Sequence, residues 1–395
     1  MNKKVMRNIF VGLSFAGLYI SSYRMFHNYI SGVYESDFLT HINTAVSDNP
    51  GYSLMHILIE ICYKFPKSEL ILSLVMNSII FGTYWGMYRY LSGRNEGVNS
   101  KEMIAIIATS LLFTSNIYLP VVFEHFYNHY TTVSQPWHNS TYILMRLFSV
   151  WVIFLFFIIY EELTEENKIS KKNAIMFWLV LSLCNFAKPN FFLAFAPASL
   201  CVFFILLVKN RNYIFNLLKW GCCYLLSMPI LYYMVRVVYE KSENSQIAFC
   251  SQNFLDYLFG NAGVGVYHGQ FIILEISNLL FPFFVIATLV FLKIKGKKIY
   301  LYRVMFGMLL FCVAHLEQLL MIETGPRAQH GNYAWGVYCA GMILYMICIE
   351  EWIKTYHIGE IQKKYYLIGF GLFAMHIFCG IVYYIELCMG MGYVI

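Results

Sequence analysis

The sequence predicts an all-α, polytopic integral membrane bundle of about eleven transmembrane helices, and composition and patterning carry that prediction together. Of 395 residues, 59% are hydrophobic and 13% charged, where soluble domains carry roughly 25% charged residues. The apolar residues fall in long blocks with charge confined between them, as in helices that face lipid; a barrel would show short alternating segments. One soluble core of this size needs polar surface that the chain does not have. The chain therefore reads as a single transmembrane domain over 1–395.

The expected spans are 9–29, 69–90, 103–122, 141–160, 174–188, 190–208, 218–238, 271–292, 300–321, 334–349 and 365–386. The first follows a short basic stretch with no small-residue cleavage site after it, so it is expected to stay as an anchor. The fifth and sixth are short and meet at Lys188-Pro189-Asn190, where proline predicts a tight turn or broken helix. Two larger outer loops are expected, 30–68 with short interfacial helices and 239–270.

Basic residues give the map a direction. With the N-terminus cytoplasmic, 20 of the 28 lysines and arginines fall in inner connections, as the positive-inside rule requires. The expectation is an N-inside, C-outside bundle. The net charge of +6 sits mostly in those inner loops, so it reports orientation and points away from nucleic acid. The 34 Phe and 32 Tyr read as lipid contact and interface anchoring, and the eleven cysteines, with no CxxC, as buried small hydrophobes. No P-loop, dinucleotide fingerprint or internal repeat is present.

The outer connections hold the unusual polar residues. In 30–68 the chain reads Glu35-Ser36-Asp37 and then His41. On a helix, Asp37 and His41 lie four apart on one face, a pair able to orient a base or share a metal; the bland alternative is that Asp37 caps a solvated helix. Residues 54–63 alternate as an amphipathic interfacial helix carrying His56. The next outer connection supplies His138 and Asn139, with Arg146 a little over one turn into the following span, where a charge must face the bundle and meet an acid or an anionic ligand. Lys188 sits at the tip of the broken pair, positioned either to snorkel or to meet phosphate. Glu323, Arg327 and His330 crowd the penultimate outer loop, and Arg327 offers a donor fork suited to phosphate. The inner face shows lysine, arginine and ordinary acidic runs such as Glu161-Glu162.

Carboxylate, imidazole and phosphate-compatible cations at the lipid boundary suit a lipid-phosphate-linked donor. Here the chain resembles the GT-C superfamily of polyprenyl-phosphate-sugar-dependent membrane glycosyltransferases. Glu35-Ser36-Asp37 is similar to that family's acid-x-acid motif, in a first outer loop with interfacial helices. The resemblance implies Asp37 as catalytic base or metal contact, Glu35 second and His41 beside them. It also implies a donor or substrate site drawn from Arg327, His330, Lys188, Arg146, His138, Asn139, Glu323 and His56. No cofactor is required beyond a divalent cation (Mg2+ or Mn2+) that Asp37 and Glu35 would hold. Partners would be a polyprenyl-phosphate sugar, an envelope glycan, lipid or protein acceptor, and membrane lipids, at a bacterial cytoplasmic membrane. The chain reads without the soluble C-terminal domain of many such enzymes, which leaves donor and acceptor open. A polysaccharide polymerase of O-antigen or capsule type, an O-acyltransferase using His315, and a lipid-linked substrate transporter or flippase are the alternatives.

Overall fold

The computed structural model describes residues 3–47, 52–94, 101–119, 136–241, 246–252, 254–255, 271–325 and 332–390. The elements are α1 (Lys3–Ile30), α2 (Asp37–Val46), α3 (Leu54–Tyr63), α4 (Ser68–Arg94), α5 (Lys101–Leu111), α6 (Ser140–Glu166), α7 (Lys171–Ala187), α8 (Asn190–Lys209), α9 (Ile214–Lys241), β1 (Ile247–Phe249), α10 (Phe271–Ile294), α11 (Tyr302–Leu320), β2 (Met321–Glu323), α12 (Ala334–His357) and α13 (Lys363–Cys388). Among the described residues, eight helices are long and apolar enough to cross a membrane by length and composition. The protein is an all-α, multi-pass membrane bundle.

Local chemistry starts and stops these helices. Ser36, Ser53, Asn139 and Ser170 each accept a backbone N–H two or three residues on and so cap α2, α3, α6 and α7. Asn167 ends α6 in the left-handed region, at φ 51, a conformation its short polar side chain tolerates. Lys188 is extended ahead of Pro189, as the residue before proline prefers, and breaks α7 from α8. Pro197, Pro229 and Pro282 lie inside α8, α9 and α10, which membrane helices accommodate through their neighbours.

The spine is α12, buried along its whole apolar window and packed by α4, α5, α6, α8, α10, α11 and α13. The rim helices turn large apolar side chains outward, among them Leu200 and Phe204 of α8 and Leu225 and Tyr232 of α9. α2 and α3 pack on each other and bridge α1 to α4. β1 and β2 form an antiparallel pair with Ala248 opposite Ile322, tying the start of the 239–270 segment to the end of α11.

Two expectations need correction. Span 103–122 is not one helix: α5 ends at Leu111, and 112–119 continues without helical structure through the interior. Thr114 donates back to the Leu111 carbonyl, and Phe113 docks directly on α13 at Gly380, where a Cβ would stand 1.6 Å from the Phe113 oxygen. Hydropathy reads the apolar run but not this docking. Nor is Glu161 part of an ordinary acidic run. The buried Arg303 pairs with Glu161, with Glu350 at 2.5 Å and with Glu351 at 3.4 Å, and Tyr90 donates to Glu350 at 2.5 Å. This ion cluster ties α4, α6, α11 and α12 together.

Candidate functional site

Asp37 begins α2, but it does not cap it. Ser36 takes that role by accepting from the Phe38 N–H, which leaves the carboxylate for tertiary contact. Asp37 Oδ2 accepts from Asn139 Nδ2 at 2.7 Å. Asn139 meanwhile caps α6 through its other atom, with Oδ1 accepting from the Tyr142 N–H and the Thr141 hydroxyl, both at 2.8 Å. One amide thus starts α6 and holds the acid of α2.

His41 lies one turn after Asp37, as the four-residue spacing predicts. Its Nδ1 is 2.6 Å from the Ser140 hydroxyl, and its ring meets His56 edge to face at 5.4 Å. His56 is buried, with Nδ1 2.6 Å from the Ser53 hydroxyl. The broken pair supplies the cation: Lys188 Nζ donates to Thr141 at 3.3 Å and lies 4.7 Å above the Trp335 ring. That arrangement pins the ammonium over an aromatic face rather than letting it snorkel. His138 meets the same indole at 5.8 Å. Next to Lys188, Asn190 donates to the Asn332 carbonyl at 2.7 Å, and Asn332 donates to Glu323 at 2.5 Å. Gly336 permits this closure, because a Cβ there would sit 3.1 Å from the Asn190 carbonyl.

The electrostatics divide the two catalytic candidates. Burial alone raises the pKa of Asp37, but His138, the Asn139 hydrogen bond, His41 and Lys188 outweigh it, and the net shift is below the ordinary carboxylate value. Asp37 is therefore an anion at neutral pH. Burial is the main force pushing His41 down to about 3; His56, Lys188 and His138 push the same way and Asp37 opposes them. His41 is neutral at physiological pH and acts as a hydrogen-bonding group, not as a cation.

The sequence candidates Asp37, His41, His56, His138, Asn139 and Lys188 thus meet at one end of the bundle, with Glu323 linked through Asn332 and Asn190. Arg146 lies deeper. It is fully buried, with its guanidinium 5.0 Å from the Trp137 ring centre and 6.0 Å from that of Tyr142. Glu35 is exposed, and Arg327 and His330 lie outside the described residues. Among the described residues no group of three or more His, Cys, Asp or Glu side chains is placed to hold a metal, so Asp37 and Glu35 do not converge with a third such ligand. His315, read as the deep histidine of the outer half, faces Glu275 at 3.3 Å and ties α11 to α10. Sequence reasoning undervalued Ser140, Thr141, Asn332 and Trp335. Their one signal was position, at or beside the first turns of apolar spans.

No family model, curated protein or solved structure matches the chain.

Proposed function

We propose that this chain is a membrane glycosyltransferase that moves a sugar from a polyprenyl-phosphate donor to an envelope glycan, glycolipid or protein on the outer face of a bacterial cytoplasmic membrane. The observation that carries the reading is Asp37, kept ionised against its burial by His138 and by the Asn139 hydrogen bond, in a cluster that also holds Lys188. In the proposed reaction the acceptor hydroxyl oxygen bonds to the sugar's anomeric carbon as the anomeric carbon–phosphate oxygen bond breaks. The hydroxyl proton passes to Asp37, and polyprenyl phosphate leaves with the bonding pair. Because Asp37 is a weak base, its proton transfer belongs late in the step, when the attacking oxygen has become acidic. Lys188 balances charge on the leaving phosphate, with Arg327 as a second donor, while the polyprenyl chain stays in the bilayer.

Transfer in membranes from a panel of polyprenyl-phosphate sugars, wild type against Asp37→Asn, tests this reading. Transport of a lipid-linked substrate is the second reading, favoured by one observation: the third apolar segment breaks inside the bundle at Leu111, and transporters build sites on interrupted helices. Donor turnover without acceptor-dependent product, together with two-sided access of label, would select it.

A further inference from the structure

A second carboxyl group stands at the Lys188–Trp335 wall of the Asp37 cluster. Glu317 lies in the last turn of α11, a helix that packs against both α8 and α12. Its Oε2 and the Asn190 carbonyl oxygen flank one point at Gly336, 3.8 and 3.1 Å from where a Cβ would stand. Gly336 directly follows Trp335, whose ring carries the Lys188 ammonium at 4.7 Å. The Glu317 carboxyl and the Lys188 ammonium therefore border consecutive residues in the first turn of α12.

Among the described residues no hydrogen bond or ion pair engages the Glu317 carboxyl, and no cation balances it. It is half-buried at the end of an apolar span, where a carboxyl without a partner is costly unless it is used. Tyr333, the residue before α12, is half-buried as well, and among the described residues its hydroxyl makes no hydrogen bond. Burial first, and then Glu323 and Glu317, push its pKa up to about 12. That hydroxyl thus lies in the field of both carboxyls and keeps its proton as a donor. Asn332 already donates to Glu323 at 2.5 Å, whereas the Glu317 carboxyl stays open to a guest.

We propose that Glu317 and Tyr333 form the subsite that recognises the sugar of the lipid-phosphate donor, by hydrogen bonds to its ring hydroxyls; this inference rests on the glycosyltransferase reading. A phosphate paired with Lys188 sets its attached sugar against Trp335 and Gly336, the two residues that lead from Lys188 to Glu317. A sugar hydroxyl both donates and accepts, so one can give its hydrogen to the Glu317 carboxyl while another accepts from Tyr333. Other groups fit less well. An anion meets the carboxyls of Glu317 and Glu323, and an apolar group leaves Glu317 and Tyr333 unsatisfied.

The test compares dissociation constants of the purified full chain in detergent for polyprenyl-phosphate glucose, galactose and mannose with that for polyprenyl phosphate without a sugar. Wild type is expected to bind at least one sugar-bearing lipid more tightly than the bare one. Glu317→Ala should shrink that preference about tenfold and Tyr333→Phe severalfold, with the affinity for bare polyprenyl phosphate retained. Glu317→Gln, which keeps an acceptor oxygen, should recover part of the preference, and it carries the test with Tyr333→Phe if Glu317→Ala does not fold. An undiminished preference in the variants, or equal weakening toward both kinds of lipid, overturns the subsite. So does a wild type that binds no sugar-bearing lipid better than the bare one. Sugar transfer by wild type and Asp37→Asn with the same lipids judges the glycosyltransferase reading separately, so the two can fail independently.

Discussion

Asp37 and Asn139 stand 102 positions apart in the chain and 2.7 Å apart in the fold, and the same amide that grips the acid also starts α6. The candidate site is consequently coupled to the packing of α2 against α6, and changes at Asn139 should be felt in both stability and titration.

Asn139→Ala removes a helix cap, at a cost of about 1 kcal/mol, and one of the interactions that lower the pKa of Asp37. Since the folded pKa of Asp37 lies below its unfolded value, its contribution to stability is present above the unfolded pKa and fades as pH falls through the folded one. The acid limb of the unfolding midpoint should therefore move to higher pH in this variant. Asn139→Asp keeps a capping oxygen but sets a second carboxylate against Asp37, so it should move the acid limb further. Midpoints measured across pH 3 to 7 check both; unchanged acid limbs would remove Asn139 from the electrostatics of Asp37.

His41 has the opposite linkage from a salt-bridged histidine. Its folded pKa is pushed down to about 3, so below pH about 6.5 the unfolded chain takes up a proton that the folded chain refuses. Stability from this residue declines as pH falls from that point toward 3. The His41 ring resonances should hold constant from pH 8 to 5 in the folded protein. A titration step near 6.5 would contradict the burial account.

Arg303 neutralises carboxylates that cannot reach water easily, since Glu350 and Glu351 are buried beside it. Arg303→Met leaves them without that partner and should cost about 3–5 kcal/mol. Pairing it with Glu350→Gln should recover part of the loss. Unfolding of the three variants in detergent provides the cycle, and purely additive losses would mean that the pair is not coupled.

Two glycines of α13 give a matched contrast. Gly380→Ala drives a Cβ into the Phe113 carbonyl, whereas Gly371→Ala meets nothing within 4 Å. The first should destabilise by about 1–3 kcal/mol, and the second should be neutral or stabilise by up to about 1 kcal/mol. Equal effects would mean that segment 112–119 does not rest on α13.

Much of this arrangement was legible in the sequence because local rules governed it. The amphipathic pattern of 54–63 marks a short helix that the structure places at Leu54–Tyr63, the four-residue step puts His41 beside Asp37, and Lys188-Pro189 breaks a span. The charge map also grouped the polar clusters on one side, and contacts between α2, α6 and the α7–α8 turn join them. What stayed hidden depends on distant partners. Whether residue 36 or 37 caps α2 is decided by Asn139 claiming the carboxylate. The end of α5 at Leu111 is decided by Gly380, and the meaning of Glu161 by Arg303. The β1–β2 pairing has no periodic signal in three-residue strands.

The most direct test of the central claim is acceptor-dependent sugar transfer from polyprenyl-phosphate donors in membranes, comparing wild type with Asp37→Asn at equal folded protein. The account predicts that at least one donor is used and that the substitution lowers turnover by about 10²–10⁴-fold with the unfolding midpoint of the bundle retained. Undiminished turnover by Asp37→Asn would contradict it.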